Sequence, residues 1–280
     1  MSEELPHIEP LAAEGSALLE AGRPLEAVDV LRQAVASGEA SAPDLLARAY
    51  LDSGSWHAAA QWLGPLVEQG HVRFAGRLGV ALAELGDAER AEDALRLAIA
   101  HGELPAANDL GILLRDGNRL GEGIGVLARA AEEGDPQAPA NLVALHLEDG
   151  DVPAAAEAAQ RHLDVARPDT VLALAEVRAA QARPDDAEQL FRDAGRLGAL
   201  RAHTAYGWFL LTVRGDPVAA EREFGEARRH AEPGWAYTMG RFLLDSDRVD
   251  EAREFLQVAA DSGDRVASDT LAELDADPGY

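Results

Sequence analysis

The sequence predicts an all-α fold, an α-solenoid of about eight helix-turn-helix repeats followed by a capping helix. Three observations carry that expectation. Small residues recur at Gly38, Gly70, Gly102, Gly134, Ala166, Gly198, Ala231 and Gly263, spaced by 32 residues with a single step of 33. A second column interleaves with it about 16 residues away, at Gly22, Gly54, Gly86, Asn118, Gly150, Ala182, Gly215 and Asp247. The apolar fraction is 47% and is dominated by Ala and Leu, both strong helix formers, while aromatics make only 5% and no β-branched run reads as a strand.

The elements follow in order within each period. The second column marks the turn inside a unit. The first column closes the second helix, where a left-handed C-cap favours Gly. Each unit is therefore two helices of about 13 residues. The first helix carries a large–small pair, as in Leu46-Ala47, Leu78-Gly79, Leu110-Gly111, Tyr206-Gly207 and Met239-Gly240. The second helix carries an alanine (Ala27, Ala59, Ala91, Ala155, Ala187, Ala220, Ala252, with Gly123 in the fourth unit) and, four positions on, a bulky residue (Leu31, Leu63, Leu95, Leu127, Phe191, Phe224, Leu256, with Ala159 in the fifth unit). Small residues let helices approach, and the large ones fill the space between them. Pro24, Pro184 and Pro217 open second helices, where a missing N–H costs little. Pro65 and the glycines of Gly121–Gly125 fall inside second helices, so kinks or weak spots are expected there. A last half unit, from Asp264 to about Leu274, reads as the polar cap an open solenoid end needs.

The stretch Leu46 to Gly70, with L-A-x-x-Y-x-x-x-G followed by Ala59 and Leu66, resembles the tetratricopeptide repeat. The 32-residue period and the junction Ala130–Ala138 are also similar to Sel-like repeats. The resemblance covers nearly the whole chain. It implies a right-handed superhelix of about one turn with a concave inner surface, and a protein–protein interaction role. The expected organisation is a flexible N-terminus over residues 1–6, one solenoid domain over 7–275 and a flexible tail over 276–280.

The chain has 25 Lys+Arg, all of them Arg, against 50 Asp+Glu, a net charge of -25. Such a surface repels nucleic acid and anionic membranes and suits a basic partner. There is no Cys, which excludes disulfides, thiolate catalysis and Cys-based zinc sites. The opening "MSEELPHIEP" lacks a leader pattern and no apolar run spans a bilayer, so a cytoplasmic protein is expected. The alanine-rich, lysine-free composition suits a GC-rich bacterial genome. No histidine pair has metal-ligand spacing, although His146 and His162 belong to one unit and could approach each other. His71 and His101 sit at junctions, where exposure is expected. "GEGIG" follows no strand, and "RDGNRLGE" and "EDGD" lack a calcium ligand ladder. No cofactor, metal site or catalytic site is expected, and the protein reads as a non-enzyme.

One column bears on function. Glu20, Asp52, Glu84, Asp116, Glu148, Ala180, Thr212 and Asp245 occupy the last turn of the first helices, where the helix dipole disfavours acids. Either the carboxylates cap the second helix across the turn, or they line a groove, since the matching tetratricopeptide position faces the concave side. Two further groove columns contribute Arg48, Glu176, Trp208 and Arg241, and Asn108 and Tyr237. Cations and amides at these places, Arg48, Asn108, Arg115 and Arg241, are too scattered for the family's clamp for acidic tails. Ten of the fourteen aromatics lie from Phe191 onward. Phe209, Phe224 and Phe242 read as core, while Trp208 and Tyr237, with Arg241 beside them, read as binding hot spots. The candidate groove is therefore Arg48, Asp52, Glu84, Asn108, Arg115, Asp116, Glu148, Trp208, Tyr237, Arg241 and Asp245. It would take a protein or peptide segment of basic or mixed character. The alternative is a self-assembling, homo-oligomeric solenoid without a peptide ligand.

Overall fold

A computed structural model describes residues 9–276. The flexible segment expected over residues 1–6 and all of the expected tail except Ala276 lie outside the described residues. Among the described residues there are seventeen α-helices and no strand. In chain order they are α1 (Pro10–Glu20) and α2 (Pro24–Ala36), α3 (Ala42–Asp52) and α4 (Trp56–Glu68), α5 (Ala75–Glu84) and α6 (Ala88–Ala100), and α7 (Ala106–Asp116) and α8 (Leu120–Glu133). The order continues with α9 (Ala138–Glu148) and α10 (Val152–Arg161), α11 (Pro168–Ala180) and α12 (Pro184–Leu197), α13 (Ala202–Phe209) and α14 (Pro217–Arg229), and α15 (Trp235–Leu244) and α16 (Val249–Asp261). A last helix, α17 (Arg265–Ala276), stands where the capping half unit is expected. The chain divides into two compact units, residues 1–126 and 127–280, each an α-solenoid of stacked helix pairs.

The large–small columns interdigitate where the small member is Gly15, Gly79, Gly207 or Gly240. A Cβ added at Gly79 would fall 2.5 Å from Leu95 Cγ, and one added at Gly240 would fall 2.8 Å from Leu256 Cγ. The bulky partners Leu31, Leu63, Leu95, Phe224 and Leu256 are completely buried. Phe209, Phe224 and Phe242 are core residues of the second unit, with the Phe224 and Phe242 rings 5.2 Å apart. The core is therefore a row of small shared layers, which suits a chain rich in alanine and poor in aromatics.

The turn into seven of the eight second helices, all but α4 with Ser55 before it, uses one of two charge-swapped devices. Asp87, Asp151 and Asp216 are N-caps whose carboxylates accept from the N–H groups of Arg90, Ala154 and Ala219. Arg23, Arg119, Arg183 and Arg248 instead donate to an acid three residues on, Glu26, Glu122, Asp186 and Glu251. Both devices put negative charge in the first turn, where the dipole favours it.

Every non-glycine member of the turn column, Asn118, Ala182 and Asp247, keeps the left-handed backbone that Gly has elsewhere, with φ of 63°, 56° and 57°. Ala231 of the closing column does the same at φ 50°. Ala166 does not. Its helix, α10, ends early at Arg161, and the loop is held instead by Asp164, which accepts from Ala166 N and the Arg167 side chain. The single 33-residue step is absorbed by a π-helical turn, Leu210–Arg214, between α13 and Gly215. One added residue widens a turn without shifting the registers on either side. Helix α4 runs through Pro65 and α8 runs unbroken through Gly121, Gly123 and Gly125, although the division between the two units falls directly after that stretch.

Candidate functional site

The acidic column sits at the ends of the first helices. Glu20, Asp52, Glu84, Asp116 and Glu148 are the last residues of α1, α3, α5, α7 and α9, Asp245 is the C-cap of α15, and all six are exposed. The capping alternative does not describe Asp52, Asp116 or Asp245. Their partners are arginines of their own helices, with Arg48–Asp52 at 3.1 Å, Arg115–Asp116 at 2.8 Å and Arg241–Asp245 at 3.6 Å. Pairs this exposed contribute at most about 1 kcal/mol and leave the carboxylates open to a competing cation. Asn108 is buried in the first turn of α7, where its Nδ2 donates to Pro105 O at 3.2 Å. This binding residue of the sequence reading therefore braces its own helix start.

The first unit carries Arg48, Asp52, Glu84, Asn108, Arg115 and Asp116, and the second carries Glu148, Trp208, Tyr237, Arg241 and Asp245. In the second unit Trp208 is half-buried, with its ring edge-on to Phe224 at a centroid distance of 5.3 Å. Tyr237 is half-buried against the cluster of Ala236, Leu256, Ala259 and Ala267. Each ring is thus fixed by the core on one side and accessible on the other. Glu176 shares the Trp208 column one repeat earlier, on α11. Burial pushes its carboxyl up to about 7, against the opposing pull of Arg201.

Arg241 and Asp245 also line a cleft of about 390 Å³ whose other walls are Leu244, Val249, Thr270, Glu273 and Leu274. Three of these residues come from α17, which sequence reading treats only as a cap. The spacing of Thr270, Glu273 and Leu274 at helical intervals was the available signal for a shared face.

Several polar features belong to the scaffold. The residue after the closing small residue is an acid in five repeats: Glu39, Glu103, Asp135, Glu232 and Asp264. Glu39 accepts from Ala12 N at 2.7 Å, and Glu232 accepts from His203 N and Thr204 N, both at 2.9 Å. Each reaches back to the open end of its repeat's first helix, which requires acceptors. Asp135 and Asp264 accept from Ala138 N and Ala267 N of the helix that follows. His71 and His101 are exposed at their junctions. His146 and His162 line one small cleft with Glu132, Glu157 and Arg161, and burial, then Arg161 and Arg167, hold the His162 ring below the usual histidine range. His203 and His230 stack at 4.9 Å, with His203 Nδ1 2.9 Å from Glu223 Oε2, a pairing that sequence reading missed because the residues lie 27 apart. Among the described residues no group of three His, Asp or Glu could hold a metal ion, and no helix is long and apolar enough to cross a membrane.

Stacked helix pairs with interdigitating small and large columns define an α-helical repeat protein. Residues 12–63 and 45–108 match the family model for the tetratricopeptide repeat. The chain is similar to a tetratricopeptide repeat protein from Parabacteroides merdae, at 13% identity over 94% of this chain and 97% of that one, with a TM-score of 0.53. It is similar to a chain of the APC/C hetero-tetramer Cut9-Hcn1, at 14% identity and a TM-score of 0.52, covering 94% of this chain but only 55% of that one. It is also similar to a Sel1 repeat protein from Oxalobacter formigenes, at 21% identity over 77% of this chain and 95% of that one, with a TM-score of 0.51. No curated protein sequence matches the chain. Residues 12–108 thus match tetratricopeptide repeats, and the chain shares the fold of tetratricopeptide and Sel1 repeat proteins.

Proposed function

We propose that this protein is a non-enzymatic interaction scaffold whose first-helix faces take a basic or mixed segment of a protein partner. The observation that carries this reading is the acidic column. Six exposed carboxylates recur at first-helix ends, where the dipole disfavours them and where Asp52, Asp116 and Asp245 cap no second helix. A net charge of -25 steers a basic partner toward such faces. Trp208 and Tyr237 supply the aromatic anchors that interfaces favour. Repeat proteins bind through extended surfaces of this kind.

The test is capture from native host lysate by wild type and by the Trp208→Ala/Tyr237→Ala double variant, at low and high salt. The reading requires a partner held by wild type, weakened by the double variant and released by salt. Recovery of the protein alone, with a solution mass above that of a monomer and unchanged by the substitutions, would replace this reading with self-assembly.

A further inference from the structure

Helices α15, α16 and α17 form a cleft on the first-helix side. Leu244, Val249 and Leu274 give it an apolar surface, Asp245 and Glu273 put two carboxylates on its walls, and Thr270 adds a hydroxyl. Its one cation, Arg241, is held by Asp245 at 3.6 Å and is nearly half exposed, so it can swing outward. The volume of about 390 Å³ suits one long side chain.

Resting on the scaffold reading, we propose that this cleft is the subsite that receives an arginine side chain of the bound segment, with α17 acting as its outer wall. The aliphatic stem of arginine covers the apolar surface while its guanidinium reaches the carboxylates. The planar fork can bridge two separate acceptors, Asp245 and Glu273, which a point-charge ammonium does less well. An acidic side chain would meet two carboxylates against one cation already paired, and an apolar one would strip water from both carboxylates without replacing their hydrogen bonds. Glu273 is exposed near the end of the last helix, so Glu273→Gln removes a charge without disturbing a core.

The probe is fluorescein-labelled hexa-arginine, titrated into the full chain by anisotropy, with hexa-citrulline as its neutral isostere. The variants are Glu273→Gln and, as an equal change of charge on an exposed residue of the first unit, Glu89→Gln. The expected result is binding of hexa-arginine over hexa-citrulline, weakened about fivefold by Glu273→Gln and hardly at all by Glu89→Gln. Equal effects of the two variants would overturn the subsite while leaving the acidic faces as the general attractant. Absence of hexa-arginine binding to wild type would overturn both the subsite and the scaffold reading beneath it.

Discussion

Gly207 and Gly225 are both helical glycines of the second unit, and alanine should stabilise the chain at Gly225 but not at Gly207. Each substitution gains about 1 kcal/mol of helix propensity. At Gly225 nothing lies within 4 Å of the added Cβ, so the gain stands alone. At Gly207 the Cβ would lie 2.7 Å from Phe224 Cδ1. Phe224 is completely buried, with Trp208 at 5.3 Å on one side and Phe242 at 5.2 Å on another, so its ring has nowhere to go. Overpacking of this kind costs about 1–3 kcal/mol. Because the propensity gain is common to both variants, the difference between them isolates the clash. At about 2–4 °C per kcal/mol for a unit of this size, Gly225→Ala should raise Tm by a few degrees and Gly207→Ala should lower it or leave it unchanged. Thermal unfolding followed by circular dichroism measures both. Adding Phe224→Leu to Gly207→Ala should cost less than the sum of the two single changes, since the shorter side chain makes room. A Gly207→Ala variant as stabilised as Gly225→Ala would refute the interdigitation of small and large columns.

Other consequences are as specific. Ala231 holds φ at 50°, and Ala231→Gly should stabilise the chain by about 1 kcal/mol in urea denaturation, whereas an unstrained alanine would make glycine the worse residue. Glu232→Ala leaves the His203 and Thr204 N–H groups without their acceptor and should destabilise by about 1–3 kcal/mol; a change near zero would remove the junction acid from the scaffold account. Glu176 titrates near 7 in the fold, above its ordinary 4.5, so the stability it contributes is present below about pH 4.5 and is lost as pH rises through about 7. Glu176→Gln should therefore matter little at about pH 4.5 and gain on the order of 2–3 kcal/mol at about pH 8, and an equal effect at both pH values would contradict burial of the charge.

The fold was legible because its determinants repeat. Gly22, Gly54 and their counterparts mark every turn, and Leu31, Leu95 and Phe224 occupy the same place against a small residue each time, so any one repeat teaches the next. Local exceptions were less legible. Ala166 shares the closing column but not the left-handed backbone, because Asp164 and Thr170 build a different loop there. The 33-residue step shows in the spacing, yet its absorption as a π turn depends on neighbours that hold the registers on both sides. The candidate site was legible only as a column. Its acids could be found at the first-helix ends, but the pairing of Asp52 with Arg48 rather than with a helix start is decided by rotamers and neighbouring charges. Asn108 looked like a groove residue because its register is right, while its burial comes from packing that the register does not encode. The cleft beside Arg241 needs α17 folded back against α15 and α16, a tertiary fact that single-sequence periodicity leaves out.

The central claim is that first-helix faces, and not second-helix faces, take a basic segment. Hydrogen–deuterium exchange of the full chain with and without saturating hexa-arginine tests it most directly. The account predicts added protection concentrated in the last turns of first helices, above all in α13 and α15, with second helices such as α12 and α14 unchanged. Protection confined to the second helices, or spread evenly over both sets, would contradict it.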